Sequence, residues 1–244
     1  MSVAVFIPTC AIPSHPETWL IESVMSAVRF HLPDARIYIG ADGIAPYAKE
    51  IHGREEKYNQ FVINCQECIA TGLWQNVVFR KFHERSHQTQ MARWALEETD
   101  AEFFIFQEHD CPLRIDRSIH WDVIFDLLKS KEANIVRFAW HPEGVYHEHS
   151  HLTVREFEHQ GVQFAQTLQW SGWPHVSTTE FYRKMMSEKV PYRPDMIEHC
   201  VDGSALVDPD YYKIAMYLPG DEQYRFHHKD GRTDRDTGVR DVRD

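Results

Sequence analysis

The stretch that most constrains the fold is Phe103-Phe104-Ile105-Phe106-Gln107-Glu108-His109-Asp110-Cys111-Pro112-Leu113. Its four apolar residues follow the acidic Thr99-Asp100-Ala101-Glu102 turn and read as a short strand buried on both faces. Pro112 cannot extend a central strand, so Glu108, His109 and Asp110 fall at its carboxyl end, where open α/β sheets place their ligand crevices. Two carboxylates flanking an imidazole on a rigid strand end suit a hard divalent cation bridging a diphosphate. The plainer reading is that Glu108 and Asp110 solvate a strand end or cap the next helix.

The chain before this strand reads as a βαβ unit. Val3-Ala4-Val5-Phe6-Ile7 is a continuous apolar run, Glu17 to Phe30 carries Trp19, Leu20, Val24, Ala27 and Val28 at helical spacing, and Ala35 to Gly40 is a second strand. That order implies a parallel sheet, with Asp42 at the tip of the second strand. Asp42 is placed to contact a nucleoside, or to form an Asp-Gly turn with Gly43. Pro8-Thr9-Cys10-Ala11-Ile12-Pro13 lacks the glycines that let a backbone approach a pyrophosphate, which disfavours an NAD-type site. Residues 45 to 69 read as one polar helix, Trp74 to Phe79 as a third strand, and His87 to Glu97 as a helix. Arg93 on that helix would reach a phosphate if the helix borders the crevice; otherwise it is a surface arginine.

After the acidic triplet, Ile119 to Lys129 is an amphipathic helix and Ala133 to Ala139 a strand. Residues 141 to 159 suggest a loop or hairpin over the site, and Gln163 to Trp170 a strand. Ser177-Thr178-Thr179-Glu180 has capping-box spacing and predicts a helix start at Ser177. A short helix led by Asp195 and Glu198 and a late strand from Lys213 to Leu218 follow. The alternating charges of residues 233 to 244 read as a frayed tail.

Composition closes off several function classes. A net charge of −11 gives no general basic footprint for nucleic acid or an anionic membrane, and no run approaches membrane-spanning length. The expectation is a soluble cytoplasmic protein. An odd count of five cysteines fits reduced thiols, and Cys65-Gln66-Glu67-Cys68 has no partner pair at zinc-ribbon spacing. His147, His149 and His151 alternate onto one face of an extended segment, but no further ligand at zinc-type spacing follows, so a polar loop is the simpler reading.

Three separated blocks carry a resemblance: Phe104 to Leu113, Leu168-Gln169-Trp170-Ser171-Gly172-Trp173-Pro174-His175-Val176-Ser177, and Phe226-His227-His228-Lys229-Asp230-Gly231-Arg232. Their order resembles small GT-A-type glycosyltransferases, including the phage-borne TET-associated group, over most of the chain from Val3 to Arg232. The resemblance implies a GT-A-like single domain over residues 1 to 232, with a mostly parallel central sheet flanked by helices. It implies a nucleotide-sugar donor, UDP-linked by preference, held by Pro8, Thr9, Asp42, Arg93, Glu108 and Arg232. Glu108-His109-Asp110 stands where the family has Asp-x-Asp, so Asp110 would ligate Mn²⁺ or Mg²⁺ with Glu108 beside it. A late histidine would complete the shell, with His228 the better match and His227 the alternative.

Sugar transfer builds negative charge on the departing phosphate, which a metal and nearby cations offset. An inverting reaction also needs a carboxylate base, for which Glu198 and Asp195 are the candidates; their plain role is helix capping. Trp170, Trp173 and His175 would line the sugar or acceptor pocket, or else fill the core. The phage-borne members of the group point to a hydroxymethylated pyrimidine in DNA as acceptor, in the host cytoplasm, with a glycan or small molecule as the alternative. A DNA acceptor requires a cationic groove drawn from Arg80, Lys81, Arg85 or Arg183. A non-catalytic nucleotide-binding module is the competing class.

Overall fold

Period-two alternation along the strands builds two cores, one on each side of the sheet. The computed structural model describes residues 1–138, 152–220 and 225–229. In β1 (Val3–Thr9), Val3, Val5 and Ile7 enter one buried cluster while Ala4 and Phe6 enter the other. β4 (Phe103–Phe106) divides the same way, with Phe103 and Ile105 on one side and Phe104 and Phe106 on the other. The first cluster is completed by α1 (Trp19–His31), α3 (Arg54–Ala70) and α5 (Trp121–Lys129). The second is completed by α4 (His87–Glu98), α6 (Thr179–Glu188) and α7 (Ile197–Val207). A strand buried on both faces needs this helix–sheet–helix arrangement, which the Phe103 run predicts.

The remaining strands are β2 (Arg36–Ala41), β3 (Val77–Lys81), β5 (Ile135–Phe138), β6 (Thr153–His159), β7 (Val162–Thr167), β8 (His175–Thr178) and β9 (Ile214–Leu218). Among the described residues the sheet has nine strands in the order β3-β2-β1-β4-β8-β5-β9-β7-β6. The β3-β2-β1-β4 half is parallel, as the opening βαβ unit requires. β8 runs antiparallel between β4 and β5, β5 and β9 are parallel, and β9-β7-β6 is antiparallel. The continuous parallel run therefore belongs to the amino-terminal half, and the sheet as a whole is mixed.

Local differences from the sequence reading have identifiable causes. The expected single helix over 45–69 is two, α2 (Pro46–Lys49) and α3, because Gly53 takes a left-handed φ of 71° between them. The third strand starts at Val77, after Asn76 at φ 54°, and Trp74 packs into the core ahead of it. Helix α6 starts two residues beyond Ser177: Ser177 belongs to β8, and Thr178 is the cap, its Oγ1 accepting the Phe181 N–H at 3.2 Å. β6 and β7 form a hairpin whose turn, Gln160-Gly161, has φ 49° and 81°, the two positive values a type I′ turn needs. Among the described residues no helix is long and apolar enough to cross a membrane. His147, His149, His151, Arg232 and residues 233–244 lie outside the described residues.

Candidate active site

The acidic turn after β4 is held from three directions. Gln107, fully buried, continues the β1 pairing through its N–H to the Phe6 carbonyl at 2.9 Å, and its side-chain amide closes the turn onto the Cys111 carbonyl. The His109 Nδ1 lies 3.1 Å from the Pro8 carbonyl, so it carries the proton and donates to the end of β1. On the far side, residues 225–229 run antiparallel to 110–114. Arg225 O accepts from Arg114 N at 2.8 Å, His227 N donates to Pro112 O at 2.9 Å, and Lys229 N donates to Asp110 O at 2.7 Å. Successive residues of an extended segment point to opposite sides, so this ladder directs the two tail histidines differently. Both histidines are exposed, and His228 is the one whose Nε2 lies 3.4 Å from Asp110 Oδ2.

Asp110 is itself 8% exposed. Burial alone would raise its carboxyl, but the His109 and His228 imidazoles and hydrogen bonds from His228 and Cys111 outweigh that and hold it at about 2. Cys111, absent from the sequence-based ligand set, brings its Sγ to 3.5 Å from Asp110 Oδ1 and 3.9 Å from Glu108 Oε2. Burial, then the Asp110 and Glu108 charges, push its thiol far above the usual range. One ligand atom from each of Asp110, Cys111 and His228 lies within 4.8 Å of the others. A carboxylate and an imidazole fit Mn²⁺ or Mg²⁺ without help from a protonated thiol.

Glu108 divides its two oxygens, with Oε2 3.9 Å from Cys111 Sγ and Oε1 turned toward α4, and it stands outside the close Asp110, Cys111 and His228 group. Its Oε1 accepts from Gln88 Nε2 at 3.3 Å, and it flanks Gly172 in the Leu168–Ser177 block. A Cβ at position 172 would sit 3.2 Å from Glu198 Oε2 and 3.9 Å from Glu108 Oε1, so both carboxylates crowd this one glycine. Gln88, buried on α4, also accepts the Ile197 N–H through its Oε1 at 3.3 Å, tying the Glu108 turn to the first turn of α7 that carries Glu198. Beneath them the buried Arg137 donates to the Gln169 carbonyl at 3.0 Å and feels the charges of Glu198 and Asp202. Burial lowers its guanidinium to about 10 against those charges, so it stays cationic at neutral pH.

The other predicted residues divide sharply. Pro8 and Thr9 lie inside β1 and not in the loop after it; Thr9 is 2% exposed and its carbonyl accepts the Asp42 N–H at 2.9 Å. Asp42 commits Oδ1 to the N–H groups of Gly43, Ser86 and His87 at 2.8, 2.6 and 3.0 Å, which caps the start of α4. Gly43 is obligatory there, since a Cβ would lie 2.2 Å from the Glu84 carbonyl carbon. Lys81 Nζ meets the Asp42 carbonyl at 2.5 Å and is lowered to about 8 by burial, partly offset by Asp42 and Glu55.

Arg93 does not border the crevice as a free cation. Its Nη2 caps the end of α6 by donating to the Met186 and Val190 carbonyls at 2.6 and 2.7 Å, and its guanidinium lies over Tyr192. Trp170 and His175 are core residues, each 2% exposed, and not pocket walls. His175 lies between Phe106 and Tyr182, with Nδ1 donating to Trp173 O at 2.7 Å and Nε2 3.1 Å from the Tyr182 hydroxyl. Trp173 keeps partial exposure against Phe226. Asp195 pairs with Arg193 at 3.2 Å and His199 at 3.4 Å and accepts the Met196 N–H. Burial would raise its carboxyl, yet these partners lower it on balance, which weakens it as a base. Of the cations expected in a DNA groove, Arg183 donates to the Leu96 and Thr99 carbonyls and Arg80 lies over Phe82.

No protein-family model matches the chain, and no curated protein matches it by sequence. Solved structures do match. GalNAc-T7 with UDP, GalNAc and Mn²⁺ aligns with a TM-score of 0.56 over 95% of this chain and 45% of its own. The mannosyltransferase PcManGT from Pyrobaculum calidifontis, in complex with GDP-Man and Mn²⁺, gives 0.52 over 89% and 55%. Residues 1–349 of S. aureus TarS in complex with UDP-GlcNAc give 0.51 over 93% and 58%. The chain has a GT-A fold. Sequence identity to each is 12%, and the chain spans about half the length of these structures.

Proposed function

We propose that this chain is a metal-dependent glycosyltransferase that moves a sugar from a nucleoside-diphosphate donor, UDP-linked by preference, to an acceptor hydroxyl. The observation that carries the reading is the Asp110–His228 pair at the carboxyl end of β4, with Glu198 across Gly172 from the same acidic turn. Asp110 and His228 would hold Mn²⁺ or Mg²⁺, and the cation would supply positive charge to the departing diphosphate. The nucleoside would lie against the adjoining ends of β1 and β2, where Thr9 pairs with Ala41, with the second oxygen of Asp42 as its polar contact.

Glu198 is the preferred base for the acceptor hydroxyl. Asp195 carries Arg193 and His199 on its carboxylate, while Glu198 meets Gly172 and the Glu108 turn. Partly exposed Trp173 offers the aromatic face for a sugar ring. A neutral hydroxylated acceptor, a glycan or small molecule, is favoured over a DNA base because Arg183 and Lys81 are engaged with backbone carbonyls. The test is donor hydrolysis and transfer over a panel of UDP- and GDP-sugars with and without Mn²⁺. Metal-stimulated release of one nucleoside diphosphate supports the reading; no binding or turnover with any donor removes it. Salt-insensitive transfer to short glycans excludes DNA, and transfer to hydroxymethylated DNA that collapses with salt restores it.

A further inference from the structure

The group at the end of β4 contains a donor that a hard-cation site does not need. Cys111 is fully buried, and its sulfur faces one Asp110 oxygen at 3.5 Å while His228 Nε2 faces the other at 3.4 Å. Tetrahedral zinc, with bonds of about 2.0 Å to nitrogen and oxygen and about 2.3 Å to sulfur, sets its ligand atoms roughly 3.3–3.5 Å apart. The two short separations run to different Asp110 oxygens, and one ligand atom from each of the three residues lies within 4.8 Å of the others, so side-chain rotations of about an ångström bring them to that spacing. Thiolate, imidazole and carboxylate together suit a borderline-soft cation, and divalent affinity at mixed N/O/S sites rises from Mn²⁺ through Co²⁺ toward the later metals.

We propose that Asp110, Cys111 and His228 form a second binding mode for thiophilic divalent cations of the Zn²⁺ class, with Cys111 as a thiolate ligand. Binding forms a sulfur–metal bond and releases the thiol proton to solvent, with no change of oxidation state; the cation's own charge stabilises the thiolate. Three protein ligands leave a fourth position open. Zn²⁺ in this mode occupies the position proposed for Mn²⁺ or Mg²⁺, which makes it a competing and inhibitory ion. The metal-binding half stands on the side-chain geometry alone, while the inhibition rests on the glycosyltransferase reading. Among the described residues no other group of histidine, cysteine and carboxylate side chains gathers this closely, and the Cys65–Cys68 pair on α3 lacks a third ligand.

The test is titration of the full chain with Co²⁺, followed optically, and then with Zn²⁺. A near-ultraviolet thiolate-to-cobalt band that Zn²⁺ removes is expected in the unaltered protein and absent from Cys111→Ser. His228→Gln, at an accessible position, should keep the band but weaken Co²⁺ affinity at least about tenfold. No band, a band that persists in Cys111→Ser, or one lost only in Cys65→Ser or Cys68→Ser overturns the assignment, as does unchanged affinity in His228→Gln. A cobalt band with no donor binding under any metal sinks the glycosyltransferase reading and leaves the site standing. Donor turnover without a band does the reverse.

Discussion

Replacing Gln88 separates the scaffold of the site from its chemistry. The side chain is 8% exposed, donates to Glu108 Oε1 and accepts the Ile197 N–H, both at 3.3 Å. Gln88→Met keeps the volume and removes both bonds. Ile197 opens α7, so its N–H has no carbonyl within the helix, and stranding a buried donor of that kind costs about 1–3 kcal/mol. Glu108 is only partly buried and re-solvates, which adds little. At a cost of about 2 kcal/mol the melting temperature falls by roughly 4–8 °C for a chain of this size. The larger effect is on rate: Glu108 and α7 lose their shared tether, and a misplacement of about 1 Å at reacting groups costs roughly a hundredfold. Gln88→Glu keeps the acceptor for Ile197 but sets a second carboxylate against Glu108, so it should retain more stability and lose at least as much rate. Thermal denaturation followed by circular dichroism, with donor turnover measured well below the transition, reads both quantities. Wild-type melting and wild-type turnover in Gln88→Met would refute the coupling.

Three further outcomes follow from the same geometry. Glu198→Gln should lower kcat by about 10²–10⁴ with donor affinity retained, while Asp195→Asn changes kcat by less than tenfold; the reverse order reassigns the base. Trp170→Ala should destabilise the fold by about 3–5 kcal/mol in chemical denaturation, as expected of a core tryptophan and not of a pocket wall. Burial lowers the folded-state pKa of His175 to about 4 against the hydrogen bond to Trp173, so its contribution to stability is complete above pH 6.5 and is lost as pH falls from 6.5 toward 4. The loss approaches about 3 kcal/mol, and denaturant midpoints across that window should fall less steeply in His175→Gln.

Much of the sheet was legible because alternation and continuous apolar runs are local signals. Phe103–Phe106 and the switch to Glu108-His109-Asp110 locate both a central strand and its carboxyl end, and the opening βαβ unit gives the parallel half. β8 was hidden because His175-Val176-Ser177-Thr178 is short and carries a capping pattern; its strand character comes from pairing on both edges, with β4 and β5. Arg93, Trp170 and His175 were misplaced for one reason. A cation or aromatic side chain looks the same in sequence whether it faces ligand or core, and the partners that decide, such as the Met186 and Val190 carbonyls or Tyr182, are remote in the chain. The pairing of 225–229 with 110–114 is of the same long-range kind, and only the family resemblance pointed to His228. Cys111 does carry a local signal, since it adjoins Asp110 inside a tight turn, where neighbouring side chains converge.

The most direct test of the metal-bridged diphosphate site is calorimetric titration of UDP into the unaltered protein and into Asp110→Asn, each with and without Mn²⁺. UDP should bind the unaltered protein only when Mn²⁺ is present, and the Asn variant, still folded, should lose that binding at least about tenfold. Equal UDP affinity with and without metal, or an Asn variant that binds Mn²⁺ and UDP like its parent, would contradict the assignment of Asp110.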